Sequence, residues 1–431
     1  MTKTDLHNEA NKLRQEKKYD EAIPLYEELW NKTGDQFDGA GLLSCLRKLK
    51  QYDEAIPLAD EIVKKFSDFR WAKNEAIWTY IEGKLNRLED DATVGKIVEI
   101  ANAIMTLNPE GVAAKIVVFK VLKAAKAAGE WATVDEWADK LNPDVLSTTP
   151  MTDEEGREGW SDQSLWYNYK ARALVETDKV EEVLEFINEV INKFPRQKKF
   201  FLRFKALSLH KLGKLDDAHE IYRSLCNERR PDWWLLHEYA KVLNDEGEKD
   251  EAFKVMCQAA VSHKKLEAMV TLFKEMGLLC KETGRMKEAR AHLLLSSLIR
   301  IEQGWSIPES ISDKITELNS VLTNKSAPSS VREALNMCRE TWHDISGVKA
   351  DRAAIRQRKP KRGLTGKLLL GKPDVLFCFI LGNDNMSYFC QKSDLPVGIV
   401  DGEVVSFTAL PSFDKKKNTE SWKAVDIIRG N

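Results

Sequence analysis

Tyr19-Asp20-Glu21-Ala22-Ile23-Pro24 recurs as Tyr52-Asp53-Glu54-Ala55-Ile56-Pro57, the same hexapeptide 33 residues further along the chain. A step of that length is the signature of stacked helical hairpins. Two short amphipathic helices per unit cannot bury their apolar faces alone, so successive units pile into a solenoid. The small residue of the hexapeptide sets the phase, because it lets the two helices of a hairpin approach closely. It returns as Val183, Ala218, Ala252 and Ala289, at intervals of 35, 34 and 37 residues. Asn108-Pro109 and Asn142-Pro143, 34 apart, fall where a unit should stop, since proline cannot continue a helix and restricts the residue before it. The periodicity predicts about eight units between residues 4 and 302.

The units resemble tetratricopeptide repeats, with a small residue near the hairpin turn and a proline at the end of the unit. The resemblance covers about two thirds of the chain and implies a scaffold that holds an unidentified protein or peptide in its groove. Trp71, Trp78, Trp166, Trp233 and Trp234 either line that groove or serve as inter-helix core, the common use of so large a side chain. Residues 147–162, rich in Asp, Glu, Ser and Thr, break the period and read as an acidic loop inserted between two units.

The chain has 431 residues and a net charge of −2. Its apolar runs are far shorter than a membrane span, and its first residues lack the apolar stretch of a signal peptide, which predicts a cytoplasmic protein with no membrane partner. Seven cysteines occur without a Cys-x-x-Cys pair, which suits a reducing compartment and argues against structural zinc. The seven histidines are dispersed. There is no zinc-protease helix, nucleophile elbow or dinucleotide fingerprint, and Gly363-Leu-Thr-Gly366-Lys367 is too short for a phosphate-binding loop. No enzyme activity, cofactor or metal is expected.

Charge is distributed unevenly. Residues 349–362 carry +6, from Lys349, Arg352, Arg356, Arg358, Lys359, Lys361 and Arg362 against Asp351 alone, while residues 1–348 carry −8. Clustered Lys and Arg suit a polyanion, and a solvated linker is the plainer reading. Ahead of this segment, Ile311, Ile315, Leu318 and Leu322 recur at helical spacing, and a second helix is expected over 331–345. These read as capping helices, within 303–348, closing a repeat domain of residues 1–302.

From Gly363 the texture changes to alternating apolar and polar residues broken by Gly, Pro, Asn and Asp. Strands are expected over 364–370, 375–381, 386–391, 403–410 and 422–428. A five-stranded barrel over 363–431 is the natural closure for so short a domain, since closure removes exposed edges. The expected fold is therefore multidomain: an all-α helical-repeat solenoid, capping helices, a basic linker over 349–362 and a small all-β barrel.

Val375-Leu376-Phe377-Cys378-Phe379-Ile380, then Phe389-Cys390-Gln391-Lys392-Ser393-Asp394-Leu395, Gly402-Glu403-Val404-Val405-Ser406-Phe407 and Lys423-Ala424-Val425-Asp426-Ile427 follow one another in order. Together they resemble a cold-shock domain, an oligonucleotide-binding (OB-fold) barrel. The resemblance implies that Phe377, Phe379 and Phe389 form a stacking platform for bases, with Lys367, Lys372 and Lys392 at phosphates. Leu370 stands where the family has tryptophan and Gln391 where it has a stacking histidine. Arg358, Lys359, Lys361 and Arg362 of the basic segment extend the candidate site. Alternation puts Phe377 and Phe379 on one face, while a reading in which the rings fill the core stays open.

Helical repeats joined to a cold-shock-like barrel are similar to proteins of prokaryotic TOTE-type conflict systems. The resemblance implies an adaptor or sensor in defence that binds single-stranded RNA or DNA through the barrel and a protein through the repeats. A protein-only scaffold, whose barrel has lost nucleic-acid binding, is the alternative.

Overall fold

The computed structural model describes residues 2–89, 91–228, 231–322, 327–346, 360–372, 375–384, 386–396, 398–414 and 419–430. Among the described residues, eighteen α-helices are followed by a closed five-stranded barrel. The chain divides into two compact units, residues 1–231 and 232–431.

In the first unit twelve helices succeed one another as six hairpins. They are α1 (Lys3–Gln15) with α2 (Tyr19–Thr33), α3 (Gln36–Lys48) with α4 (Tyr52–Lys65), and α5 (Arg70–Tyr80) with α6 (Val94–Met105). There follow α7 (Gly111–Ala128) with α8 (Trp131–Ala138), α9 (Asp162–Glu176) with α10 (Val180–Lys193), and α11 (Lys198–Lys211) with α12 (Leu215–Cys226). The repeated hexapeptide opens α2 and α4. Its Asp and Glu lie in the first turn, where the positive end of the helix dipole favours them. Ala22, Ala55, Val183 and Ala218 are fully buried, so the residues that mark the period lie inside the helix packing.

Buried ion pairs tie neighbouring hairpins together. The Arg47 guanidinium on α3 donates to Glu75 on α5, through Nε at 3.1 Å and Nη2 at 3.0 Å, and to Glu82 at 2.9 Å. The Lys170 ammonium on α9 donates to Asp135 on α8 and to Asp139, each at 2.6 Å, and Lys179 donates to Asp135 at 2.7 Å. Burial alone would raise the Asp135 carboxyl, but the two ammonium groups outweigh it and hold the carboxyl below the usual range. The stretch between α8 and α9 carries an isolated bridge from Thr152 to Glu158 and ends at Ser161, which caps α9.

The second unit continues with α13 (Trp233–Asp245) and α14 (Lys249–Ser262), then α15 (Val270–Glu282) and α16 (Met286–Glu302). Ala252 and Ala289 are again fully buried. Next come α17 (Glu309–Val321), which buries Ile311 and Leu318, and α18 (Val331–Ser346). Helix α18 packs on α14 and α16, and its buried Trp342 stacks on Phe273 of α15 with centroids 5.4 Å apart. The Trp342 indole N–H donates to His292 Nε2 at 2.8 Å, and His292 Nδ1 lies 2.6 Å from the Glu288 carbonyl, so the imidazole is neutral with its proton on Nδ1.

The barrel strands are β1 (Lys361–Leu369), β2 (Phe377–Gly382), β3 (Ser387–Gln391), β4 (Val404–Asp414) and β5 (Thr419–Arg429). Their order is β1-β2-β3-β5-β4, closing from β4 back to β1, with β3 and β5 parallel and every other pair antiparallel. The core holds Leu368, Cys378, Ile380, Tyr388, Cys390, Val405, Phe407, Ala409, Trp422, Ala424 and Ile427. Gly363, with φ +70°, takes up a bulge that lets β1 begin at Lys361, opposite Ala409. Gly366 faces Gly382, and a Cβ at residue 366 would stand 2.5 Å from the Leu381 carbonyl oxygen, so no side chain fits where β1 crosses β2.

Candidate nucleic-acid interface

Strand alternation sorts β2 and β3 cleanly. Cys378, Ile380, Tyr388 and Cys390 point into the barrel, and Phe377, Phe379, Phe389 and Gln391 point out. Phe377 is 43 % exposed and Phe379 38 %, while Phe389 is half-buried between them. The ring centroids lie 5.8 Å (Phe377 to Phe379), 5.7 Å (Phe377 to Phe389) and 6.1 Å (Phe379 to Phe389) apart. Every pair therefore has the contact distance of interacting aromatics.

The surround is more aliphatic than the sequence reading foresaw. Leu369 on β1 faces Phe379, Leu381 continues the outer row of β2, and Leu376 precedes Phe377; all three are exposed. Period-two alternation from Leu368 and Ile380 would have found the first two. Leu370, at the position of the family's tryptophan, packs half-buried against the barrel core, and its N–H donates to Asp401 at 2.7 Å. Gln391 is exposed and is the cross-strand partner of Phe377.

The lysines divide into two groups. Lys367 stands exposed on β1 opposite Leu381, Lys372 is exposed between β1 and β2, and the Lys392 ammonium donates to the Lys372 carbonyl at 2.6 Å. Lys423 on β5 is the parallel partner of Phe389, a neighbour that the sequence reading omitted, and pairs with Asp394 at 3.3 Å. Lys361 is engaged elsewhere: its ammonium lies 3.5 Å from Asp384 and 4.7 Å from the centre of the Trp422 ring. The Tyr388 hydroxyl donates to the same Asp384 carboxylate at 2.5 Å, and burial, with this hydrogen bond next, raises the phenol well above its ordinary range. Arg362 is exposed at the start of β1. Arg358 and Lys359 lie outside the described residues.

The tryptophans proposed for the repeat groove separate as well. Trp166 is buried, its indole N–H donating to the Ala138 carbonyl at 2.9 Å. Trp71 is half-buried beneath the Arg14 guanidinium, 5.0 Å from the ring centre, and begins a row of rings running through Phe69 to the exposed Phe37. Trp78 is half-buried against the core. Trp233 is stacked with both His237 and His263, and Trp234 is half-buried. Among the described residues there is no cluster of three metal-ligating side chains, and no helix is long and apolar enough to cross a membrane.

A family described as a domain of unknown function (DUF7017) matches residues 199–337. No curated protein matches the chain. Among solved structures, a tetratricopeptide repeat protein from Parabacteroides merdae is 14% identical, with 64% of this chain and 98% of that chain covered and a TM-score of 0.30. Human IFIT1, solved as a dimer with m7Gppp-AAAA, is 14% identical over 80% of this chain and 78% of that one, with a TM-score of 0.37. The TPR2AB domain of yeast Sti1, solved as a pHSP90 complex, is 13% identical over 74% of this chain and 98% of that one, with a TM-score of 0.27. Likenesses this loose say nothing of ligand or partner.

Proposed function

We propose that the barrel binds single-stranded RNA or DNA through Phe377, Phe379 and Phe389, and that the helical repeats hold a protein partner. The chain would then be a non-catalytic adaptor or sensor, with prokaryotic defence as its setting. The observation that carries this reading is the outward position of three adjacent phenylalanines. Rings present only for packing would turn inward, as Tyr388 and Phe407 do, because leaving a large apolar side chain in water forgoes about 1.5–3 kcal/mol of burial. Unpaired bases stack on such rings with little regard to sequence. Lys367, Lys372 and Lys392 border the rings with positive charge for the phosphates, and the Gln391 amide beside Phe377 can hydrogen-bond the edge of a stacked base.

One observation favours a second reading. Leu369, Leu376 and Leu381 make the rim aliphatic, which suits a docked protein as well as a base. The test is fluorescence anisotropy of labelled single-stranded RNA and DNA with the intact chain across a salt series. Binding that weakens with salt supports the nucleic-acid reading. Flat anisotropy at low salt for both polymers supports the protein-only scaffold.

A further inference from the structure

Behind the outward-facing rings, two cysteines meet inside the barrel. Cys378 on β2 and Cys390 on β3 are cross-strand partners, both buried, with their sulfurs 3.1 Å apart. The other five cysteines all lie on helices, Cys45 on α3, Cys226 on α12, Cys257 on α14, Cys280 on α15 and Cys338 on α18.

The strand register fixes the separation of the two backbones. The N–H of Lys392 donates to the Leu376 carbonyl at 3.0 Å, and that of Gly382 to the Met386 carbonyl at 2.9 Å. Hydrogen-bonded and non-bonded pairs alternate along an antiparallel ladder, so Cys378 and Cys390 fall on a hydrogen-bonded pair, whose Cα atoms are about 5.5 Å apart. A disulfide spans about 4.4–6.8 Å between Cα atoms and has a bond of about 2.05 Å. The two sulfurs therefore need to close by about 1 Å, with no change of strand register.

We propose that Cys378 and Cys390 are a disulfide-forming site, converted to a cross-strand bridge by a low-molecular-weight disulfide. One protein thiolate attacks a sulfur of that oxidant, giving a mixed disulfide and one released thiol. The second protein thiolate then attacks the modified cysteine and expels the other half. Two protein thiols give up two electrons and two protons, and one small disulfide becomes two small thiols. Burial, and next the hydrogen bond with Cys378, push the Cys390 thiol well up, so the closed barrel holds little thiolate. The reaction is therefore slow and proceeds through openings of the β2–β3 pair. Once formed, the bridge restricts the unfolded barrel and resists its opening. None of this depends on what the outer face binds.

The experiment is incubation of the intact chain with oxidised glutathione, alkylation of remaining thiols under denaturing conditions, and mass spectrometry of an unreduced digest. With chymotrypsin, which cuts after the aromatic residues between the two cysteines, the expected result is one peptide pair joined through Cys378 and Cys390, lighter by two hydrogens, with alkylated cysteines falling from seven to five and returning to seven after dithiothreitol. The proposal is overturned if both cysteines remain alkylatable, if each is separately capped by glutathione, or if either is joined to a helical cysteine instead.

Discussion

Phe379 and Phe389 are direct partners across β2 and β3, with ring centroids 6.1 Å apart and planes inclined by 73°. Two rings so inclined cannot share one base face, so each offers its own. Phe379→Ala and Phe389→Ala should each weaken binding of a single strand by about 1–3 kcal/mol, roughly 5- to 150-fold in Kd. Phe379 projects outward from the barrel core, so its variant should keep a thermal transition close to that of the wild type. Anisotropy titration beside circular dichroism checks both expectations.

Few charges border the rings, and this bounds the salt response. With Lys367, Lys372 and Lys392 as the phosphate contacts, log Kd should change with log salt with a slope of about 2, at about 0.7 per contact on a single strand. Lys367→Ala should lower the slope by about 0.7. A wild-type slope several times steeper would mean that cations away from the platform dominate the contact.

Asp135 on α8 is shared by Lys170 and Lys179. Removing it leaves the buried Lys170 with Asp139 alone, so Asp135→Ala should destabilise the first unit by about 3–5 kcal/mol. Glu110→Ala, which removes the partner of Arg70 in a pair exposed at 91% and 83%, should leave the transition unchanged. Urea unfolding of the intact chain, followed by circular dichroism, compares the two.

His292 supplies a pH dependence of definite sign. Complete burial lowers its pKa from 6.5 to about 4, so between those values the unfolded chain binds a proton that the native chain refuses. Stability should be full above pH 6.5 and fall as the pH drops toward 4, losing about 2 kcal/mol between about pH 7 and pH 5. Thermal unfolding across that range checks the slope, and His292→Gln, which has no titratable group, should flatten it.

The helical architecture was legible because Ala22, Ala55, Ala218, Ala252 and Ala289 recur at the repeat step, and all five are fully buried among the helices. The barrel was legible from alternation, which put Phe377 and Phe379 on one face of β2. What the sequence hid was decided between segments far apart along the chain. The partnership of Lys361 with Asp384 and Trp422 depends on chain segments far apart in sequence, and so does the meeting of Trp342 with His292. Leu369 joins the outer face through its register with Phe379 on β2, a pairing that no local pattern in the sequence marks. Strand β4 runs on to Asp414 and β5 starts at Thr419, beyond the bounds read from sequence, because the polar residues there lack apolar alternation.

The central claim is that bases lie on the outer face of β2 and β3. Photocrosslinking tests it most directly, with the intact chain and a single-stranded oligonucleotide carrying thio-substituted pyrimidines, and with the modified residues mapped by mass spectrometry. The account predicts crosslinks within residues 376–392, centred on Phe377, Phe379 and Phe389 and lost when the three are replaced by alanine. Crosslinks confined to the helical repeats, or crosslinks in the barrel that survive those replacements, would contradict it.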